Sequence, residues 1–155
     1  MKRKHLIFLS TIISLIIIST FAYKSINTVN VVNIPTNTLD KIVSENIKAE
    51  LNKREDLRAV FIDEIDYTRE IIVCEEKGNK VYIYSLLNCS GHSSDDPTLT
   101  KAKYPAIITL EKDKNDYIFN KLELSILDEG SEAIKIFPYR IRNNYIKDKI
   151  MQSWS

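Results

Sequence analysis

The stretch from Tyr104 to Leu124, YPAIITLEKDKNDYIFNKLEL, leaves the chain few ways to fold. Apolar residues alternate on both sides of a polar break, the pattern of two strands folded back on each other. Ala106, Ile108 and Leu110 share one face of the first arm; Ile118, Leu122 and Leu124 share one face of the second. Opposite residues in an antiparallel pair lie on the same face, so the loop must bring the two sets into register. A three-residue loop, Asp113-Lys114-Asn115, pairs Leu110 with Ile118 and Ala106 with Leu122, with Asn115 in the left-handed position that closes such loops. A four-residue loop would set Leu110 opposite Phe119 and mix the faces. The shorter loop is expected.

A second hairpin is signalled upstream. Thr68–Glu76 and Lys80–Leu87 flank Gly78-Asn79, a two-residue turn that sets Cys74 opposite Ile83. On a plain alternation Ile72, Cys74, Val81 and Ile83 share one face, and Ile71, Val73, Tyr82 and Tyr84 the other. Both faces are apolar, which places these strands mid-sheet with cover on both sides. Ala59–Tyr67, AVFIDEIDY, alternates loosely and is expected as a further strand. Asn88–Lys103 is the long polar insertion and reads as a loop.

Thr36–Glu55 carries Leu39, Ile42, Val43, Ile47 and Leu51 at steps of three and four, one apolar stripe of a helix. Thr36 or Thr38 is the expected cap, with Asp40 in the first turn. After a turn at Asp128-Glu129-Gly130, Ser131 caps a short helix with Ala133, Ile134 and Phe137. Pro138 interrupts it, and helical spacing resumes from Tyr139 to Trp154 through Ile141, Tyr145, Ile146 and Ile150. The expectation is an α+β domain over 36–155: an amino-terminal helix on an antiparallel sheet of about five strands, with short carboxy-terminal helices.

The amino terminus points outside the cytoplasm. Leu6–Ala22 is a 17-residue uncharged run behind Lys2, Arg3 and Lys4. That is long enough to enter a bilayer, with the basic flank held inside. Thr20-Phe21-Ala22 is also an acceptable cleavage site, so residues 1–22 are read as a membrane anchor or a removed signal peptide. The two outcomes are a domain held at the membrane through residues 6–22 or a secreted one. Residues 23–35 form a tether ending in a short extended piece. Without the three flanking cations the chain has 19 basic and 21 acidic residues, a net of −2, which offers nucleic acid no basic face.

Two cysteines in an exported chain invite a disulfide. However, Cys89 lies six residues beyond the partner of Cys74, about 20 Å along the strand, against a bridged Cα separation of about 4.4–6.8 Å. Two free thiols are expected.

The residues also resemble a known group. Pro105-Ala106-Ile107-Ile108-Thr109, the tyrosine after the turn (Tyr117), Asp128 with Gly130, and the closing Phe137-Pro138 are similar to an exported domain family of bacilli and clostridia. Lys80-Val81-Tyr82-Ile83-Tyr84 matches that family's Lys-x-Tyr-x-Tyr strand. The resemblance covers residues 59–138. It implies a domain found alone behind a signal segment, or at the outer end of membrane metallopeptidases of the β-lactam sensor type. It implies no activity or site. The chain departs where members carry Trp-x-Pro, having Glu123–Leu127 as ELSIL, and where Glu129 splits the Asp-Gly pair. It has no His-Glu-x-x-His.

Reactive residue types concentrate in CSGHSSDD. Cys89 with His92 is a conceivable nucleophile and base, and His92 with Asp95 and Asp96 a conceivable cation site for a small hydrolase. No catalytic signature surrounds Cys89, no calcium-loop pattern is present, and a zinc site would need ligands from elsewhere. The acidic clusters Glu75-Glu76, Asp128-Glu129 and Asp63-Glu64-Asp66 read as solvated surface rather than a carboxylate pair across a cleft. The aromatic set is the better candidate: Tyr82, Tyr84, Tyr104 and Tyr117, with Phe119, could line a groove on an open sheet face that holds a peptide. The leading reading is therefore an extracytoplasmic accessory or binding domain with a peptide or protein partner, no catalysis, no cofactor and no metal. A hydrolase built on the 89–96 loop and a purely structural or immunity-type protein are the alternatives.

Overall fold

The computed structural model describes residues 12–20, 28–92, 99–114, 116–126 and 132–146. Residues 12–20 are helical; the rest of the Leu6–Ala22 run lies outside the described residues. Among the described residues, no helix is long and apolar enough to cross a membrane.

Helix α1 (Thr36–Lys53) forms where the apolar stripe predicts, and buries Leu39, Val43, Ile47 and Leu51. Neither threonine caps it. Pro35 holds the cap position, and Thr36 is already the first helical residue. Arg54 is extended and ends α1 before Glu55, which begins the short helix α2 (Glu55–Arg58).

The sheet has four antiparallel strands rather than five: β1 (Asp66–Lys77), β2 (Lys80–His92), β3 (Leu99–Asp113) and β4 (Asp116–Leu124), in that spatial order. The expected strand over Ala59–Tyr67 is not formed as a separate element, and only its last two residues, Asp66 and Tyr67, are extended, as the start of β1. Its alternation is real, since Phe61 and Ile65 are buried while Val60 and Ile62 are exposed. Its backbone bonds go elsewhere, however, and a ladder needs them. The amides of Val60 and Phe61 donate to the Leu57 carbonyl, that of Ile62 to the His92 carbonyl, and that of Ile65 to the Asn52 side chain. Phe61 enters the core across Gly91, where a Cβ would stand 3.0 Å from its ring. Of the sequence expected as a long loop, Asn88–Lys103, residues 88–92 and 99–103 instead lengthen β2 and β3, which pair from Lys80↔Glu111 out to His92↔Leu99, and residues 93–98 lie outside the described residues.

Two bulges reset the faces. In the β1–β2 hairpin the Gly78-Asn79 turn forms as expected, with Gly78 at φ 61° and Cys74 opposite Ile83. Between Ile71 and Val73 the register slips by one, so Ile71 joins the Cys74 face and Ile72 packs with Val73 on the other. In the β3–β4 hairpin the loop is tighter than expected. Asp113 pairs with Asp116, Lys114 takes the left-handed conformation (φ 55°), and Leu110 lies opposite Phe119. A slip beyond Leu110 then pairs Thr109 with Lys121 and Ile108 with Leu122. Asn120 is the extra residue. Tyr117 and Phe119 are out of phase with Leu122 and Leu124, and one bulged residue puts all four on the α1 side. Ile118 is left 55% exposed.

Both faces of the sheet are covered. On one, α1 packs over Val81, Ile83, Leu87, Ala106, Ile108 and Leu110. On the other lie a 3-10 turn (Ala133–Ile136), helix α3 (Tyr139–Ile141) and a π-helical turn (Arg142–Ile146), with Phe137 and Ile141 packed on Val73, Tyr84, Leu86 and Ile107. The Asp128–Gly130 turn, the Ser131 cap, Ile150 and Trp154 lie outside the described residues. Ahead of α1, Asn30 and Val32 bond the edge of β1: the Glu76 amide donates to the Asn30 carbonyl and the Val32 amide to the Cys74 carbonyl. The end of the tether thus meets the sheet edge through an isolated bridge, Val31↔Glu75.

The register has a direct consequence for stability. Ile118→Thr should change the unfolding free energy by less than about 0.5 kcal/mol, whereas Phe119→Ala should cost roughly 1–3 kcal/mol by urea titration. The three-residue loop would reverse that ranking.

Candidate functional site

The four tyrosines named from the sequence do not line one groove. Tyr82 and Tyr84 pack on the carboxy-terminal side of the sheet, Tyr104 and Tyr117 on the α1 side. The face expected to be open at Tyr84 is filled by Phe137, whose ring meets Tyr84 edge-on at 5.9 Å.

Beneath that cover lies an ionic centre that the sequence reading placed at the surface. Glu75 is 1% exposed. It accepts from Arg140 Nε at 3.1 Å and Nη2 at 2.6 Å, and from the Tyr84 hydroxyl at 2.9 Å. Burial, with the Glu75 carboxylate beside it, pushes the Tyr84 phenol well above its ordinary range. These groups satisfy one another and tie α3 to β1. Glu76, one residue on, faces the opposite side and pairs with Lys112 at 3.1 Å.

The hydrolase residues are separated by the pleat. Cys89 faces α1, 1% exposed, and burial pushes its thiol up to about 12. His92, three residues on, turns to the other side of β2, half exposed, and pairs with Asp63 at 2.9 Å. A neutral buried thiol with no base beside it is a poor nucleophile. Asp95 and Asp96 lie outside the described residues, and among those described no three potential ligands converge on a metal position. Cys74 and Cys89 are both free and buried.

What remains open is an edge. In the β1–β2 ladder the Lys77↔Lys80 pair closes the turn, so alternate residues of β1 from there bond β2 and the others face outward. Cys74 and Glu76 face outward and are met by Val32 and Asn30. Past the bulge, Thr68 and Glu70 face β2 opposite Asn88 and Leu86, which leaves the backbone of Tyr67 and Arg69 facing outward. Among the described residues no strand pairs with them there. Beside this half-edge a groove of about 490 Å³ runs between β1 and α1, lined by Thr36, Asp40, Ser44, Lys48, Tyr67 and Arg69. The Tyr67 hydroxyl donates to the Ser44 carbonyl at 3.1 Å, and Lys48 bridges to Glu64 at 3.0 Å and Asp66 at 3.5 Å. Arg69, 7% exposed, pairs with Asp40 at 2.5 Å. Local alternation alone does not reveal this place. The available signal was an arginine at an inward-facing position of the alternation, where a charge is costly unless it is paired.

Compared with family models, curated proteins and solved structures, the chain matches none.

The buried groups set two expectations. Removing one partner of the Glu75–Arg140 pair, as in Arg140→Ala, should cost about 3 kcal/mol, because the buried carboxylate keeps only the Tyr84 hydroxyl and Lys77, 3.6 Å away. In addition, the folded state holds the proton on Cys89, so the unfolded chain ionises first. Stability should be unaffected by this thiol below pH 9 and should decline from there toward about pH 12, with Cys89→Ala flattening the profile in pH-dependent urea titrations.

Proposed function

We propose that this chain is an extracytoplasmic binding domain, membrane-tethered or secreted, that engages a protein partner by strand addition at the free half of the β1 edge. The single observation that carries the reading is that half-edge. An exposed strand edge is a template for pairing, and folded proteins normally blunt it. This fold blunts the β4 edge with the Asn120 bulge and its neighbour Lys121, and covers one part of β1 with Asn30–Val32. It leaves Tyr67 and Arg69 turned outward beside a groove. Strand addition is a recurring way to hold an extended peptide, with backbone bonds supplying affinity and side-chain pockets supplying selectivity.

The location rests on the basic flank and apolar run of residues 1–22, and the resemblance to exported domains of bacilli and clostridia supports it. The separation of Cys89 from His92 favours binding over catalysis.

A photo-crosslinking residue placed at the exposed Thr68, in cells producing the full chain, should yield a discrete adduct that external protease removes without lysis. The same residue at Lys121, on the other edge, should yield none. Equal adducts from both edges, no adduct at Thr68, or an adduct protected until lysis would each count against the proposal.

A further inference from the structure

We infer that the partner segment carries one carboxylate side chain, set opposite Arg69. The inference rests on the strand-addition reading above and adds the chemistry of the ligand.

Arg69 is the reason. Its side chain lines the groove and is 7% exposed; Nη2 donates to Asp40 Oδ1 at 2.5 Å, while Nη1 is buried without a hydrogen-bond partner among the described residues. A guanidinium presents five donors in a planar fork suited to a bidentate carboxylate, and an unmet buried donor favours any acceptor that can reach it. The present partner holds only one side of the fork. Asp40 is 55% exposed on the rim of α1, so it can swing out and let the fork turn to an incoming group.

One further feature favours negative charge at that place. Thr36 and Asp40 belong to the opening turns of α1, whose amino end has no side-chain cap and no acid in its first turn. The positive end of the helix dipole therefore lies at one end of the groove, where Thr36 lines it. The geometry of pairing places the acid as well. Val31 already meets Glu75 as an antiparallel bridge, and a strand laid along Tyr67 and Arg69 would present side chains alternately to the two faces. The residue opposite Arg69 shares its face and enters the groove.

The same charges limit the ligand to a single acid. Glu45 and Asp66 also line the groove, and Lys48 is already shared between Glu64 and Asp66. A run of carboxylates would meet these and be repelled. One acid flanked by β-branched or aromatic residues fits both the edge and the charge.

Selection of random six-residue peptides on the full chain in detergent tests this. Enriched peptides should share one Asp or Glu at a fixed position. A synthetic peptide from the set should bind about tenfold more weakly after Glu→Gln, and by a similar factor after methylation of the backbone amide that faces β1. Arg69→Met should remove the preference for the acid. Asp40→Ala should tighten binding severalfold, because the competing carboxylate is gone, a direction that damage to the fold would not produce. Peptides that bind through the edge with no acid preference would overturn the inference and leave the strand-addition reading standing. Enriched peptides indifferent to amide methylation, or no enrichment at all, would overturn both.

Discussion

A sheet whose strands are apolar on both faces has to be covered on both faces, and most of this structure follows from that. Strand β2 presents Val81, Ile83 and Leu87 to one side and Tyr84 and Leu86 to the other, all buried. A single helix can satisfy only one side, so the chain needs a second layer. The carboxy-terminal turns supply it with Phe137 and Ile141. The functional consequence is severe. A tyrosine-lined groove needs an uncovered face, and both faces are covered, so the proposed recognition falls at an edge instead.

The cover on the second face is pinned electrostatically as well as by packing. Glu75 and Arg140 are 65 residues apart in sequence and meet with two hydrogen bonds, and the carboxylate also meets Tyr84 at 2.9 Å and Lys77 at 3.6 Å. Replacing such a pair by apolar residues is often neutral or better for stability, so its strongest effect is on which arrangement forms. It fixes α3 over β1 rather than elsewhere on the sheet. At the same point of β1, Val31 bridges to Glu75 along the edge. One residue thus marks where the strand is covered from above and from the side, and the uncovered half begins beyond the neighbouring bulge.

Much of the architecture was legible from local pattern. The steps of three and four from Leu39 to Leu51 specify one helix face, and Gly78-Asn79 specifies a tight turn; both depend only on neighbours along the chain. What local pattern could not show was where alternation breaks. The bulges at Ile72 and Asn120 each add one residue, which reverses every face assignment beyond them. Ile118 was therefore read inward and Phe119 outward, the opposite of the structure. The burial of Glu75 depends on an arginine far along the chain, and the exposure of the Tyr67–Arg69 edge depends on how far Asn30–Val32 extends along β1. Neither is a property of any window of sequence. The Ala59–Ile65 segment shows the converse case, an alternation that packs into the core without forming a strand because its amides are bonded outside any ladder.

One physical difference within a single strand is decisive: the part of the β1 edge met by Asn30–Val32 is hydrogen-bonded, whereas the backbone of Tyr67 and Arg69 meets no strand among the described residues. Amide hydrogen exchange read residue by residue measures that difference directly. The Glu76 amide, which donates to the Asn30 carbonyl at 2.9 Å, should be protected to near the level of the central strands. The amides of Tyr67 and Arg69 should exchange orders of magnitude faster while those of Thr68 and Glu70, facing β2, stay slow. Uniform protection from Tyr67 through Glu76 would mean that the edge is already closed, and would contradict the proposed site.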